Sequence, residues 1–215
     1  MKAMILAAGM GSRLRPLTDK TPKPLLPIRS KPLIEILIEQ LAAAGFSSLV
    51  VNLHHLGQQI REYLGDGSRY NVQIEYSQEN QLLETGGGIK KALDLLDNRP
   101  FIIVNADIYT DFNFSALPKK LPEDALAHLV VKKSNKGQSG DFIIKNNEIE
   151  SRGNQYTYCG IALMTPELFQ NSPEGAFSWT RDWLFDLLGK HRFTSQEHDG
   201  LWTDIGTLEQ YQSIQ

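Results

Sequence analysis

The sequence predicts an α/β fold: a doubly wound, mixed but mostly parallel sheet with helices on both faces. Two observations carry this prediction. Apolar runs of strand length alternate with segments of helical periodicity over the first half of the chain. The runs at residues 2–8 and 101–105 are almost wholly apolar, as expected of strands covered by helices on both faces. In such a sheet the crossovers are right-handed, and ligands bind beyond the carboxyl ends of the strands.

The first half of the chain supplies the alternating elements. Strands are predicted at residues 2–8, 48–53, 73–76 and 101–105, and helices at residues 32–44, 56–64 and 88–96. Pro32 suits the first turn of a helix, whereas Gly45 and Gly65 are typical helix stops. The residues that follow the first and fourth predicted strands should therefore meet at one edge of the sheet.

Beyond residue 111 the pattern changes to strands separated by polar turns, at residues 127–132, 142–145 and 158–164. This change favours a mixed or antiparallel extension of the sheet. We interpret residues 1–215 as a single domain, in which residues 112–215 elaborate the half formed by residues 1–111 and do not fold independently. Tryptophans and a leucine spaced four apart predict a helix over residues 179–188 with these side chains in the core.

The composition excludes several classes of protein. The 22 basic and 25 acidic side chains give a formal net charge of -3, without the positive field that non-specific nucleic-acid binding requires. The apolar stretches are too short for a signal-peptide core or a membrane span. The single cysteine, Cys159, lies in an apolar strand pattern and is expected to be buried. We therefore expect a cytoplasmic protein, monomeric or weakly self-associating, without nucleic-acid or membrane partners, whose paired lysines at 119–120 and 132–133 are solvated.

A glycine-rich segment follows the first predicted strand directly and indicates a phosphate cradle made of backbone N–H groups. Gly9 and Gly11 open this segment, but the third glycine of a dinucleotide-binding pattern is missing, and the chain contains no Walker sequence. Fixed positive charge is present instead. Arg13 comes two residues after the second glycine, and Lys23 lies between two prolines that restrict the backbone. Such rigidity favours a ligand-binding role for Lys23.

The segment LAAGMGSRLRPLTDKTPKPLLP, at residues 6–27, resembles the signature of the sugar-1-phosphate nucleotidyltransferases, Gly-x-Gly-x-Arg-Leu/Met-x-Pro-Leu-Thr followed by Pro-Lys-Pro-Leu. The segments LETGGG at 83–88, NAD at 105–107 and WTDIGT at 202–207 are similar to the base-contact loop and the two metal-aspartate segments of that family. The resemblance covers nearly the whole chain. It implies a Rossmann-like, GT-A-like architecture, with a nucleotide-binding half followed by a sugar-binding elaboration.

The resemblance also implies a role for each matching residue. Asp107 and Asp204 would hold Mg²⁺, Arg13 would bind the β- and γ-phosphates, and Lys23 would bind the α-phosphate. Arg13 and Lys23 are therefore the expected catalytic residues. Further nucleotide contacts are expected at Ala8, Gly9, Gly11, Gln78 and Gly86, and sugar contacts at Asn105, Gly140 and Gly160.

The substrates follow from finer similarities. LETGGGI, LGDGS at 64–68, GDF at 140–142 and WTDIGT are together similar to the uridylyltransferases that act on N-acetylmuramic acid α-1-phosphate in peptidoglycan recycling. UTP and that sugar phosphate are therefore the expected substrates. The mannose-1-phosphate guanylyltransferases, which use GTP, are the alternative, and a catalytically dead nucleotide-sugar sensor is a remote one. One segment departs from many relatives: EIESRG at 148–153 has no lysine where they carry Glu-Lys-Pro.

Overall fold

The computed structural model describes residues 1–134 and 139–215 and contains a large mixed sheet flanked by helices. Its strands are β1 (Ala3–Leu6), β2 (Pro27–Ile28), β3 (Lys31–Pro32), β4 (Ser48–Leu53), β5 (Gln73–Gln78), β6 (Phe101–Asn105), β7 (Ile108–Thr110), β8 (Ala125–Lys133), β9 (Phe142–Lys145), β10 (Glu148–Arg152), β11 (Tyr156–Met164), β12 (Arg192–Glu197) and β13 (Trp202–Asp204). The helices are α1 (Leu33–Ala43), α2 (Gly57–Leu64), α3 (Glu84–Ala92), α4 (Phe185–Leu187) and α5 (Leu208–Gln212).

The main sheet has the strand order β5-β4-β1-β6-β11-β8-β12-β10-β9. The first four strands are parallel to one another, and in the whole sheet only β11 and β10 run against the other strands. The predicted mixed, mostly parallel sheet is therefore confirmed. Within it Leu6, the last residue of β1, is paired with Asn52 on one side and Asn105 on the other. Two asparagines thus flank the start of the glycine-rich segment at the carboxyl edge.

Helices cover both faces of the parallel half. Ala3 and Ile5 of β1 lie in a core with apolar residues of α1 and α2. Met4, which points to the other face, lies in a second core with Ile89 of α3. The alternation of side chains along a strand thus divides one apolar run between two cores, as expected of a doubly wound sheet.

Helix α3 begins four residues earlier than predicted, so that three consecutive glycines lie inside it. Glycine disfavours a helix, and the sequence pattern therefore predicted that the helix begins only at residue 88. Close packing explains the glycines. A Cβ atom on Gly86 would overlap the ring of Phe177, one on Gly87 would overlap the carbonyl of Gly175, and one on Gly88 would lie 2.7 Å from Glu79 Oε1.

A two-stranded antiparallel ribbon of β7 and β13 stands beside the main sheet and joins its two halves. In this ribbon Asp204 is paired with Ile108, and the N–H of Ile205 donates to the carbonyl of Asp107 at 2.8 Å. The aspartates are 97 residues apart in sequence but adjacent in this ribbon. Neither strand was predicted, since three-residue strands give almost no periodic signal.

The segment predicted as a helix over 179–188 forms a π-helical turn, Trp179–Leu184, followed by α4. Trp179 is fully buried in the second core, and the indole of Trp183 donates to the carbonyl of Leu168 at 2.7 Å. The predicted packing role is therefore confirmed. Cys159 is also buried, as predicted. Across the two described ranges of the chain, none of the helices combines the length and the apolar character needed to cross a membrane.

Candidate active site

Two cavities open side by side at the carboxyl edge of the parallel strands. The first has a volume of about 490 Å³ and is lined by the glycine-rich segment, the start of α3 and the segment around Arg181. The second, of about 770 Å³, lies between β8, β11 and the β7–β13 ribbon. Asn105 and Asp107 line both cavities. The site is therefore suited to two ligands that meet at these two residues.

Gly9 and Gly11, which both line the first cavity, have different structural roles. A Cβ atom on Gly9 would meet no other atom within 4 Å, so the backbone there is open to a ligand in the cavity. Gly11 has φ +61°, and a Cβ atom on it would lie 2.8 Å from Cγ2 of the buried Thr18. The hydroxyl of Thr18 donates to the carbonyl of Gly11 at 2.8 Å. Gly11 therefore fixes the turn, while Gly9 supplies the approachable backbone, with Ala8 beside it in the cavity wall.

A buried hydrogen-bond chain that sequence reasoning missed supports this wall. The N–H of Ala7 donates to Asn52 Oδ1 at 2.7 Å, and Asn52 Nδ2 donates to Glu79 Oε1 at 2.7 Å. Glu79 Oε2 accepts the N–H of Leu83 at 3.0 Å. Glu79 is only 1% exposed. This chain fixes the start of the glycine-rich segment relative to the start of α3, because a buried carboxylate is stable only while its hydrogen bonds are made.

Two of the residues expected to contact the nucleotide, Gln78 and Gly86, do not line the cavities. Gln78 lines neither cavity, and its side chain donates outside them to the carbonyl of Leu53 at 3.3 Å. Successive strand residues point in opposite directions, so its neighbour Glu79 turns inward instead. Gly86 is buried inside α3 against Phe177, where its N–H donates to the carbonyl of Phe177 at 2.8 Å. The first cavity is bounded on this side by Leu82, Glu84 and Thr85.

The two cations expected to bind phosphate, Arg13 and Lys23, both line the first cavity. Lys23 Nζ donates to Asp107 Oδ2 at 2.6 Å, and 11% of the lysine side chain is exposed. The guanidinium of Arg13 lies so close to Gly206 that a Cβ atom there would be 3.0 Å from Nη1. A third cation, Arg181, was missed; it pairs with Glu84 at 2.7 Å at the rim of the cavity.

Two carboxylates and an amide oxygen lie close to the place where the cavities meet. Asp107 lines both cavities and Asp204 the second one, where its Oδ1 accepts Gln210 Nε2 at 2.9 Å. Asn105 Oδ1 is buried and has no hydrogen-bond partner among the described residues. Nowhere in the described ranges do three or more acidic, histidine or cysteine side chains form a metal cluster. Two carboxylates with a nearby amide oxygen fit Mg²⁺, which takes one or two carboxylates from a protein and fills its shell with phosphate and water.

Of the two glycines expected to contact the sugar, Gly160 lines the second cavity and Gly140 does not. Gly160 lines the cavity at φ +74°, and a Cβ atom on it would lie 2.9 Å from Asn105 Nδ2. Gly140 does not line it, because it packs against the Ser134 hydroxyl and the backbone of Asn154. Its neighbour Asp141 faces the cavity instead and accepts the N–H of Tyr158 at 2.8 Å.

The structure also corrects the interpretation of Lys132 as a solvated residue. Its side chain is half-buried and lines the second cavity, and its Nζ donates to the carbonyl of Gly200 at 2.6 Å. No local pattern indicates this contact, because the loop that covers the lysine comes from the segment between β12 and β13.

Comparisons with known proteins agree with this geometry. The nucleotidyl transferase family model matches residues 2–140. The chain is 43% identical to the N-acetylmuramate alpha-1-phosphate uridylyltransferase of Neisseria meningitidis serogroup B, over 97% of this chain and 94% of that protein. It is 29% identical to the mannose-1-phosphate guanyltransferase of Hypocrea jecorina, over 99% of this chain but 63% of that protein. The structure of HddC from Yersinia pseudotuberculosis in complex with GMP-PN superposes with a TM-score of 0.83 and 23% identity, covering 99% of this chain and 97% of that one.

Proposed function

Because the chain belongs to the nucleotidyl transferase family, we propose that it joins UTP to N-acetylmuramic acid α-1-phosphate, giving UDP-N-acetylmuramic acid and pyrophosphate. The observation that supports this proposal most directly is the pair of cavities that share Asn105 and Asp107. Cations line the first of these cavities, and carboxylates lie at the junction. The substrates are proposed from the 43% identity with the Neisseria enzyme over almost the full length of both proteins. The first cavity, built mainly by residues 1–111, would hold the nucleotide, and the second, built mainly by residues 112–215, the sugar phosphate.

The chemistry needs no nucleophile from the protein. An oxygen of the sugar phosphate attacks the α-phosphorus of UTP, a new P–O bond forms, and the bond from the α-phosphorus to the bridging oxygen of pyrophosphate breaks. Two anions must approach each other, so the site has to offset negative charge and align the attacking and leaving oxygens. The two residues that line both cavities, Asn105 and Asp107, support a reaction at the junction of the cavities.

Two cations of the first cavity, Arg13 and Lys23, bind different phosphates of UTP. Arg13 presents a planar fork of N–H donors that suits the β- and γ-phosphates, and it stabilises the departing pyrophosphate. Lys23 is a compact charge next to Asp107, at the junction, and there it meets the α-phosphate. The open backbone at Gly9 and Ala8 contacts the nucleotide in the wall of the same cavity.

Asp107 and Asp204 would hold Mg²⁺ at the junction. When bound, this ion supplies positive charge to the phosphate oxygens on which charge develops during the transfer. Gln210 orients the Asp204 carboxylate by its hydrogen bond, and the capping box between Thr207 and Gln210 keeps Gln210 in place. The ribbon of β7 and β13 thus determines the position of both carboxylates.

Pyrophosphate release tests this proposal when UTP, GTP, dTTP and CTP are crossed with four sugar α-1-phosphates in the presence of Mg²⁺. The sugars are N-acetylmuramic acid, N-acetylglucosamine, glucose and mannose. We expect selective turnover of UTP with the muramic sugar. Preference for GTP with mannose 1-phosphate would replace the substrates by those of the Hypocrea enzyme and leave the mechanism intact. Absence of pyrophosphate with every pair would contradict enzymatic function and support a nucleotide-sugar sensor.

A further inference from the structure

Lys132 brings a positive charge into the second cavity, where Asp141 also lies and where Asp111 lies beside the covering Gly200. Its side chain is half-buried below the loop that connects β12 to β13, and one N–H donates to the carbonyl of Gly200. Among the described residues, no carboxylate lies within 4 Å of its Nζ atom. The neighbouring Lys133 is exposed and also lines the cavity, but no hydrogen bond from its side chain is found among the described residues. An ammonium group in this setting loses part of its hydration and forms no short ion pair with the protein, which suits an anionic ligand in the cavity.

The position of Gly200 locates this charge relative to the metal ligands. Gly200 precedes Asp204 by four residues along the extended segment that ends in β13, which corresponds to a distance on the order of 10 Å. The carbonyl of Leu201 accepts the N–H of Asp111, at the end of the ribbon that is remote from Asp107. Lys132 therefore lies in the second cavity, at the end opposite the carboxylates of Asp107 and Asp204.

The proposed substrate carries a second anion that suits this position. A sugar phosphate bound next to Asp107 and Asp204 presents its C1 phosphate there and extends its ring along the cavity. N-acetylmuramic acid differs from N-acetylglucosamine by a lactyl ether on C3, two ring bonds from C1, and this ether carries a carboxylate outward from the ring. We propose that Lys132 binds this lactyl carboxylate and thereby selects the muramic sugar, an inference that rests on the proposed function.

The available donors fit this role. An ammonium group has three N–H donors, of which the carbonyl of Gly200 takes one and thereby fixes the direction of the side chain. The remaining donors can form charge-assisted hydrogen bonds with a carboxylate, which are stronger than those between neutral groups. A contact with the C1 phosphate, which all the candidate sugars share, would require the ammonium at the other end of the ribbon.

The test compares the muramic sugar with its analogue that lacks the lactyl group. In the Lys132→Met variant, which keeps an apolar stem, kcat/KM for UTP with N-acetylmuramic acid α-1-phosphate should fall about 10- to 100-fold. Binding of UDP-N-acetylmuramic acid, measured by titration calorimetry, should weaken by a similar factor, whereas binding of UDP-N-acetylglucosamine should change little. The Lys132→Arg variant, which retains the charge, should recover part of the loss. Lys120→Met, at an exposed lysine outside both cavities, is the matched control.

Each outcome bears on the proposal. An equal loss for both sugars in the Lys132→Met variant, with or without a lower unfolding temperature, would overturn it, because Lys132 would then bind a shared group or only support the fold. A selective loss in Lys133→Met but not in Lys132→Met would also overturn it. Failure of the proposed function is visible separately, since the unaltered protein would then release no pyrophosphate from UTP and the muramic sugar phosphate.

Discussion

Replacing Lys23 by methionine would remove the ammonium group at the junction of the two cavities and keep an unbranched stem. This ammonium lies 2.6 Å from Asp107 Oδ2, and 11% of the lysine side chain and 35% of the aspartate side chain are exposed. Water can therefore solvate Asp107 after the substitution. We expect the free energy of unfolding to fall by about 1 kcal/mol or less, as for a partly exposed ion pair.

The effect on catalysis should be much larger. In the proposed mechanism Lys23 stabilises charge on the α-phosphate, and such contacts contribute about 3 to 4 kcal/mol to a transition state. That free energy corresponds to a fall in kcat/KM of about 10²- to 10³-fold. The fall should appear mainly in kcat, because the charge that the ammonium offsets develops as the pyrophosphate bond breaks.

Pyrophosphate release at saturating Mg²⁺ measures this effect, and thermal unfolding measures the stability of the same samples. Lys31→Met is a matched control, because Lys31 also forms an ion pair, with Glu39 at 2.7 Å, but lies outside both cavities. We expect the control to keep its kcat/KM. A Lys23→Met protein with unchanged kcat/KM would refute the assignment to the α-phosphate, and an equal loss in both variants would attribute the effect to stability instead.

Three further variants or treatments test other parts of the structure. Asp204→Asn keeps an oxygen acceptor for Gln210 but removes a negative charge, so the protein should fold and require much more Mg²⁺ for turnover; an unchanged Mg²⁺ titration would contradict the metal assignment. Gly86→Ala should lower the unfolding temperature although alanine favours helices, because its Cβ atom would overlap Phe177; a higher unfolding temperature would show that the ring moves aside at little cost. Burial raises the pKa of the Cys159 thiol to about 12, so iodoacetamide at pH 8 should label the protein in urea but not the native protein, and rapid native labelling would disprove this burial.

Local patterns in the sequence were sufficient for the buried elements of the sheet. The apolar runs at 48–53 and 101–105 became β4 and β6 with the predicted bounds. Strands buried on both faces depend mainly on their own composition, so a short window contains the necessary information. The start of α3 was wrong for the opposite reason: its glycines oppose a helix locally, and packing against Phe177 and Gly175 from a distant segment overrides that preference.

The same contrast applies to the candidate site. The sequence by itself determined the groups with a strong local pattern: the glycine-rich segment after β1, Arg13, Lys23 between its prolines, and the motifs that contain Asp107 and Asp204. Only the tertiary structure decided that Glu79 and not Gln78 supports the first cavity, and that Lys132 enters the second below Gly200. It also decided that the β7–β13 ribbon brings the two aspartates together. These contacts join residues far apart in the chain. They depend on strand register and long-range packing, which cannot be predicted from a local sequence pattern.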